Sequence, residues 1–158
     1  MKFKIALLVA TLLTGCDSQV EIQYETTVKG YTTEKESVVA FFEDNREVLQ
    51  ELTNQQEMLG WVVKCSNLYY NTNSKIGTLY NIIDTSEISL GRGCEVTANI
   101  HTHTIPPKGK TADVFSEADL KASKRWNMYL LAQENCTLRM SKGRKWGVRL
   151  GKIENCNG

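Results

Sequence analysis

The chain has only two histidines, and they stand one residue apart in Asn99-Ile100-His101-Thr102-His103-Thr104. Side chains alternate along an extended strand, so both imidazoles face the same way if this stretch is a strand. Further on comes Ser116-Glu117-Ala118-Asp119. A carboxylate at the start of the next helix completes a three-ligand set of His101, His103 and Asp119, with a fourth position left for water. Open catalytic zinc sites use donor sets of this kind, so the chemistry expected is zinc-assisted hydrolysis. Each residue also has an ordinary explanation. A His-x-His pair arises on exposed strands by chance. Ser-x-x-Asp at a helix start is a capping arrangement, in which Ser116 accepts a backbone N–H and Asp119 lies favourably in the first turn. The two readings of Asp119 are compatible, because a cap fixes where its carboxylate points.

Several elements must hold these residues. Glu95 to His101 alternates as a strand should and delivers the histidines at its C-terminal end. Residues 104 to 115 contain Pro106, Pro107 and Gly109 and read as an irregular loop. Ser116 opens a helix through about Trp126. Upstream, Thr33-Glu34-Lys35-Glu36 has the form of a capping box. Val38, Phe41, Phe42, Val48, Leu49 and Leu52 then recur at helical spacing, predicting one helix of about 20 residues that ends near Asn54 and packs on a sheet. Leu59 to Lys64 and Asn67 to Tyr70 read as short strands, as do Thr78 to Ile83, Met128 to Ala132, Thr137 to Met140 and Trp146 to Leu150. Trp61, Trp126 and Trp146 read as core residues. The order of elements predicts one α/β (α+β) domain, a mixed or largely antiparallel sheet flanked by helices.

The N-terminus reads as a targeting signal rather than as fold. Lys2 and Lys4 precede an apolar stretch from Ile5 to Leu13, too short for a spanning helix of ~20 apolar residues. Leu13-Thr14-Gly15-Cys16 resembles a bacterial lipobox. That resemblance implies removal of residues 1–15 and acylation of Cys16; the polar, Thr-rich residues that follow lack apolar periodicity and read as a tether, giving 16–32 as lipidated N-terminus and tether and 33–158 as the folded domain. Acyl chains would anchor the domain to a membrane on its periplasmic face. Asp17 resembles the residue that favours inner-membrane retention, with the outer membrane as the alternative. Four cysteines remain, and an even number in an oxidising compartment suggests two disulfides. Cys136–Cys156 is favoured because the turn at Ser141-Lys142-Gly143-Arg144-Lys145 folds their flanking strands together; Cys65–Cys94 is then left. No Cys-x-x-Cys pair suggests a cysteine zinc site, and the even count argues against a free Cys65 or Cys94 thiol acting with a histidine. A net charge of +1 without a Lys/Arg cluster gives no reason to expect nucleic acid as a partner.

Taken in order, Glu57, His101-Thr102-His103 and Ser116-Glu117-Ala118-Asp119 resemble the signature of JAB/MPN-type (JAMM) metalloproteases, across about residues 33 to 150. The resemblance implies a cytidine-deaminase-like fold and Zn2+ held by His101, His103 and Asp119. It makes Glu57 the general base, passing a proton from water to the leaving nitrogen, and Ser116 a donor to the developing oxyanion. The substrate implied is a peptide or protein, cut at a peptide or isopeptide amide. The long interval between His103 and Ser116 is similar to that of a bacterial secreted and toxin-associated subgroup, as is the aromatic run of Trp61 and Leu68-Tyr69-Tyr70. The chain departs from the pattern at Thr104, where the family commonly has proline, and this bears on the shape of the loop over the site. Glu87 and Glu95 compete with Glu57 as the base, but an extended strand would hold Glu95 about 20 Å from His101. The rival reading is a non-catalytic binding or immunity-type lipoprotein on the same fold.

Overall fold

A computed structural model describes residues 25–78, 88 and 90–157. The expected signal peptide (residues 1–15), Cys16 and Asp17 lie outside the described residues, as do residues 79–83 of the strand expected from Thr78. The elements are α1 (Glu34–Asp44), α2 (Arg46–Glu51), β1 (Gln56–Cys65), β2 (Leu68–Asn71), β3 (Lys75–Thr78), β4 (Cys94–His103), α3 (Glu117–Ala122), β5 (Asn127–Ala132), β6 (Thr137–Met140) and β7 (Val148–Lys152).

The capping box at Thr33 forms as its sequence predicts: the Thr33 hydroxyl accepts the Glu36 N–H at 3.2 Å, and the Glu36 carboxylate accepts the Thr33 N–H at 3.1 Å. The single long helix does not form. Asn45 breaks it, donating both its backbone N–H and its side-chain Nδ2 to the Phe41 carbonyl at 3.3 and 2.7 Å. A short amide that bonds its own backbone competes with helix continuation. The apolar stripe runs across the break, with Val38, Phe41, Phe42 and Leu49 all buried, so periodicity alone does not register it. The second predicted helix is also shorter, ending at Ala122 rather than near Trp126.

The strands form one mixed seven-stranded sheet in the order β2-β1-β4-β5-β6-β7, with β3 paired to the other end of β1. Among these strands β4 and β5 make the one parallel pair, and α3 lies in the connection between them. The architecture is mixed α+β with few helices. On one face α1 and α2 close a core that includes Phe41, Phe42, Met58, Val62, Ile100 and Leu131. A side chain at Gly60 would drive into the Phe41 ring, so this glycine permits the close approach of α1 to β1. The opposite face carries two smaller clusters. One joins Trp61, Val63 and Ile88 beside Cys65 and Cys94, and the other joins Phe115, Met128 and Leu130 beside Leu120 of α3.

Both expected disulfides are present, Cys65–Cys94 and Cys136–Cys156. Trp61 is core, and Trp126 packs edge-on against it at 5.3 Å between ring centroids. Trp146 is not core; it is 58% exposed on the β6–β7 hairpin. The segment expected as tether is bonded to the domain from Glu25 onward. Thr26 and Tyr31 bridge Thr72 and Tyr69, so the chain runs antiparallel along the free edge of β2.

Candidate metal centre

The site sits at the C-terminal end of β4. Between Cys94 and the site, Val63 pairs with Val96 and Val62 with Ala98, leaving Thr97 as an extra, bulged residue. Beyond the bulge Asn99, His101 and His103 share the face opposite the main core. The Ser116 cap that begins α3 forms in both directions. Ser116 Oγ accepts the Asp119 N–H at 3.1 Å, and Asp119 Oδ2 accepts the Ser116 N–H at 2.7 Å. The cap thereby turns the Asp119 carboxylate toward β4, and the two sequence readings of this residue coexist.

Asp119 spans both imidazoles. Its Oδ1 lies 3.3 Å from His101 Nε2 and its Oδ2 lies 3.4 Å from His103 Nε2. The three potential ligand atoms are all within 4.8 Å of one another. Two donors bound at about 2.0–2.1 Å to a tetrahedral ion stand about 3.3–3.4 Å apart, so each of the two His–Asp spacings suits a shared zinc-sized cation. The hydrogen bonds point the same way. His101 Nδ1 contacts Asn99 Oδ1 at 2.9 Å, and His103 Nδ1 contacts the Ala112 carbonyl at 3.0 Å. Both partners only accept, so in each neutral ring Nδ1 carries the proton and Nε2 presents a lone pair. Asn99 is oriented in turn by its Nδ2, which donates to the Gly60 carbonyl at 3.5 Å. His101 Nε2 is buried and has no hydrogen-bond partner, which a bound cation would remedy. His101 is closed in, whereas the His103 and Asp119 side chains are 17% and 15% exposed, so solvent reaches the group beside these two residues.

Electrostatics bind the group together. Burial pushes the Asp119 carboxyl up, but the close approach of His101, with the contacts of His103 and Ser116, outweighs it and holds the group far below the ordinary carboxylate range. Burial pushes His103 down, yet Asp119 and Glu57 together raise it above the ordinary imidazole value. Glu57 lies on β1. Continuing the register two residues beyond the Leu59–His101 pair sets it opposite His103 on the same face. Burial raises the Glu57 carboxyl, opposed by His103 and His101 and reinforced by Asp119. The structure therefore brings Glu57, His101, His103, Ser116 and Asp119 together. Glu95 stands beside Cys94 at the far end of β4, opposite Lys64, and is not part of the group. Glu87 lies outside the described residues.

Sequence reasoning missed the residues that orient the ligands. The loop from 104 to 115 is pinned despite its prolines and glycine. Glu134 accepts from the Thr111 hydroxyl and, at 3.1 Å, from the Ala112 N–H. Arg139 grips both Asp113 oxygens, with Nη2 at 2.8 Å from Oδ2. The Phe115 N–H donates to Lys145 O at 2.8 Å, and the buried Phe115 ring packs edge-on to His101 at 6.4 Å. Of these partners only Asn99 left a trace in the sequence, two residues before His101 and so on its face. No protein-family model, curated protein or solved structure matches this chain. Among the described residues no helix is long and apolar enough to cross a membrane, while the two disulfides suit an oxidising compartment.

Proposed function

We propose that this chain is a zinc-dependent hydrolase of peptide or isopeptide amides, of the JAMM type, anchored by a lipid on Cys16 and facing the periplasm. One observation carries the reading: both histidines are tied through Nδ1, and each turns Nε2 to the same carboxylate, His101 Nε2 being buried without another partner. His101, His103 and Asp119 would hold the ion. Bound zinc supplies Lewis acidity, lowering the pKa of water and polarising a carbonyl oxygen. The protein's own groups do the rest. Glu57, raised by burial and facing the cluster, takes a proton, holds it and returns it to the leaving nitrogen. The Ser116 cap uses only an oxygen lone pair, so its O–H remains able to donate to oxygen as negative charge develops there.

The signal-like N-terminus, the lipobox-like Leu13-Thr14-Gly15-Cys16 and the two disulfides support the compartment. Cross-linked cell-wall peptides are amide substrates available there. Metal analysis of the purified protein tests the proposal: it should hold one zinc per chain, lost in His103→Ala and Asp119→Ala. Glu57→Gln should keep the metal and lose hydrolysis of cross-linked peptides. A zinc-free wild type overturns the reading, whereas zinc retained without any amide hydrolysis favours the binding module.

A further inference from the structure

The small net charge conceals a segregated surface. Residues 142–152 contain Lys142, Arg144, Lys145, Arg149 and Lys152 and no acidic side chain. All five are exposed, and none forms an ion pair among the described residues. Trp146 and Val148 stand among them, 58% and 45% exposed. Cations on an edge strand discourage edge-to-edge pairing, which accounts for Arg149 and Lys152 on β7. That role does not account for an indole left in solvent, since exposed aromatic area promotes association. Trp and Arg together are the residues most enriched where interfaces gain their affinity.

The hairpin also abuts the metal centre. Lys145 O accepts from Phe115, whose ring packs on His101, and Trp146 O accepts from Arg139 at 3.1 Å. Arg149 lies on the site face: it pairs with Arg139, Arg139 with Leu130, and Leu130 with His101. Three strand spacings amount to about 14 Å, the length of about four residues of extended chain. The occupant is therefore anionic and extended. A bilayer is the other anionic surface to weigh, but the described chain enters along β2, five strand spacings or about 24 Å from β7.

We propose that Arg144, Lys145, Trp146 and Arg149 form a docking surface for an acidic, extended stretch of polypeptide, about four residues from the bond presented to His101, His103 and Asp119. The four-residue offset rests on the hydrolase reading; the docking does not. Calorimetry with a ten-residue oligoglutamate peptide, run on the purified protein with zinc and again with chelator, tests it without requiring hydrolysis. Saturable binding is expected in both conditions. It should weaken at least about tenfold in Arg144→Glu/Arg149→Glu and severalfold in Trp146→Ala, with melting temperature and zinc content unchanged. Absence of binding overturns the proposal, as does insensitivity to the charge reversal or to Trp146→Ala. Tighter binding to phosphatidylglycerol vesicles or to a single-stranded DNA decamer than to the peptide also overturns it, and assigns the surface to lipid or nucleic acid.

Discussion

Zinc should stabilise the metal-stripped protein by an amount that can be worked out before its affinity is known. A ligand that binds only the folded state contributes RT ln(1 + [L]/Kd), about 4.1 kcal/mol at a thousand times Kd. For a folded span of this size each kcal/mol is worth about 3–4 °C, so the melting temperature should rise by about 12–16 °C. The unfolded chain offers zinc few ligands, because Cys65, Cys94, Cys136 and Cys156 are all in disulfides and only two histidines remain. The scan must therefore omit reductant. Asp119 supplies the one anionic ligand, with its oxygens 3.3 and 3.4 Å from the two Nε2 atoms. If Asp119→Asn weakens binding about a hundredfold, the same zinc concentration leaves about 1.4 kcal/mol and a shift of about 5 °C. Differential scanning calorimetry with and without chelator reads both values. A wild-type shift near zero, or an equal shift in Asp119→Asn and His101→Ala, would refute the reasoning.

Three further outcomes are expected. Asn99→Ala and Glu134→Ala, which release His101 Nδ1 and the Ala112 carbonyl respectively, should each weaken zinc binding by about 10- to 100-fold in competition with a chromogenic chelator; unchanged affinity would show that the rings need no such support. In the chelated protein, raised His103 contributes stability that is complete below about pH 6.5 and lost as pH rises through its folded value, while lowered Asp119 contributes above about pH 3.9. The chelated melting temperature should thus fall between pH 6 and 8 as zinc affinity rises, and a chelated curve that climbs over that interval contradicts the assignment. Gly60→Ala forces the Phe41 ring aside and should cost about 1–3 kcal/mol in urea unfolding; a neutral effect would mean that α1 shifts freely on the sheet.

The candidate ligand group was legible because two simple periodicities converge on it. A strand puts His101 and His103 on one face, and a cap signal marks where the next helix begins. The disulfides were legible from an even cysteine count and one turn. What escaped depends on contacts between distant elements. The bulge at Thr97 reverses which residues of β4 face the site, and nothing local in Glu95-Val96-Thr97-Ala98 marks it. The Ala112 carbonyl reaches His103 from a loop that Glu134, in the turn between β5 and β6, helps to hold. The break at Asn45 hides beneath an uninterrupted apolar stripe. Trp146 was misread for a related reason: hydrophobicity says what a side chain prefers, not whether the fold offers it a place.

The disulfide between Cys65 and Cys94 acts as a registration pin. It joins the two strands that carry Glu57 and the histidines, at the end of the ladder away from them. Sliding β4 by one residue against β1 would turn Asn99, His101 and His103 into the face now filled by Phe41 and Met58. With a spare residue at Thr97 already absorbed into the ladder, that slip is the error this pairing most needs to prevent. No cysteine touches the candidate metal centre, yet the Cys65–Cys94 bond constrains the alignment that brings His101 and His103 beside Glu57. A molecule folded under reducing conditions would have to find that alignment by packing alone.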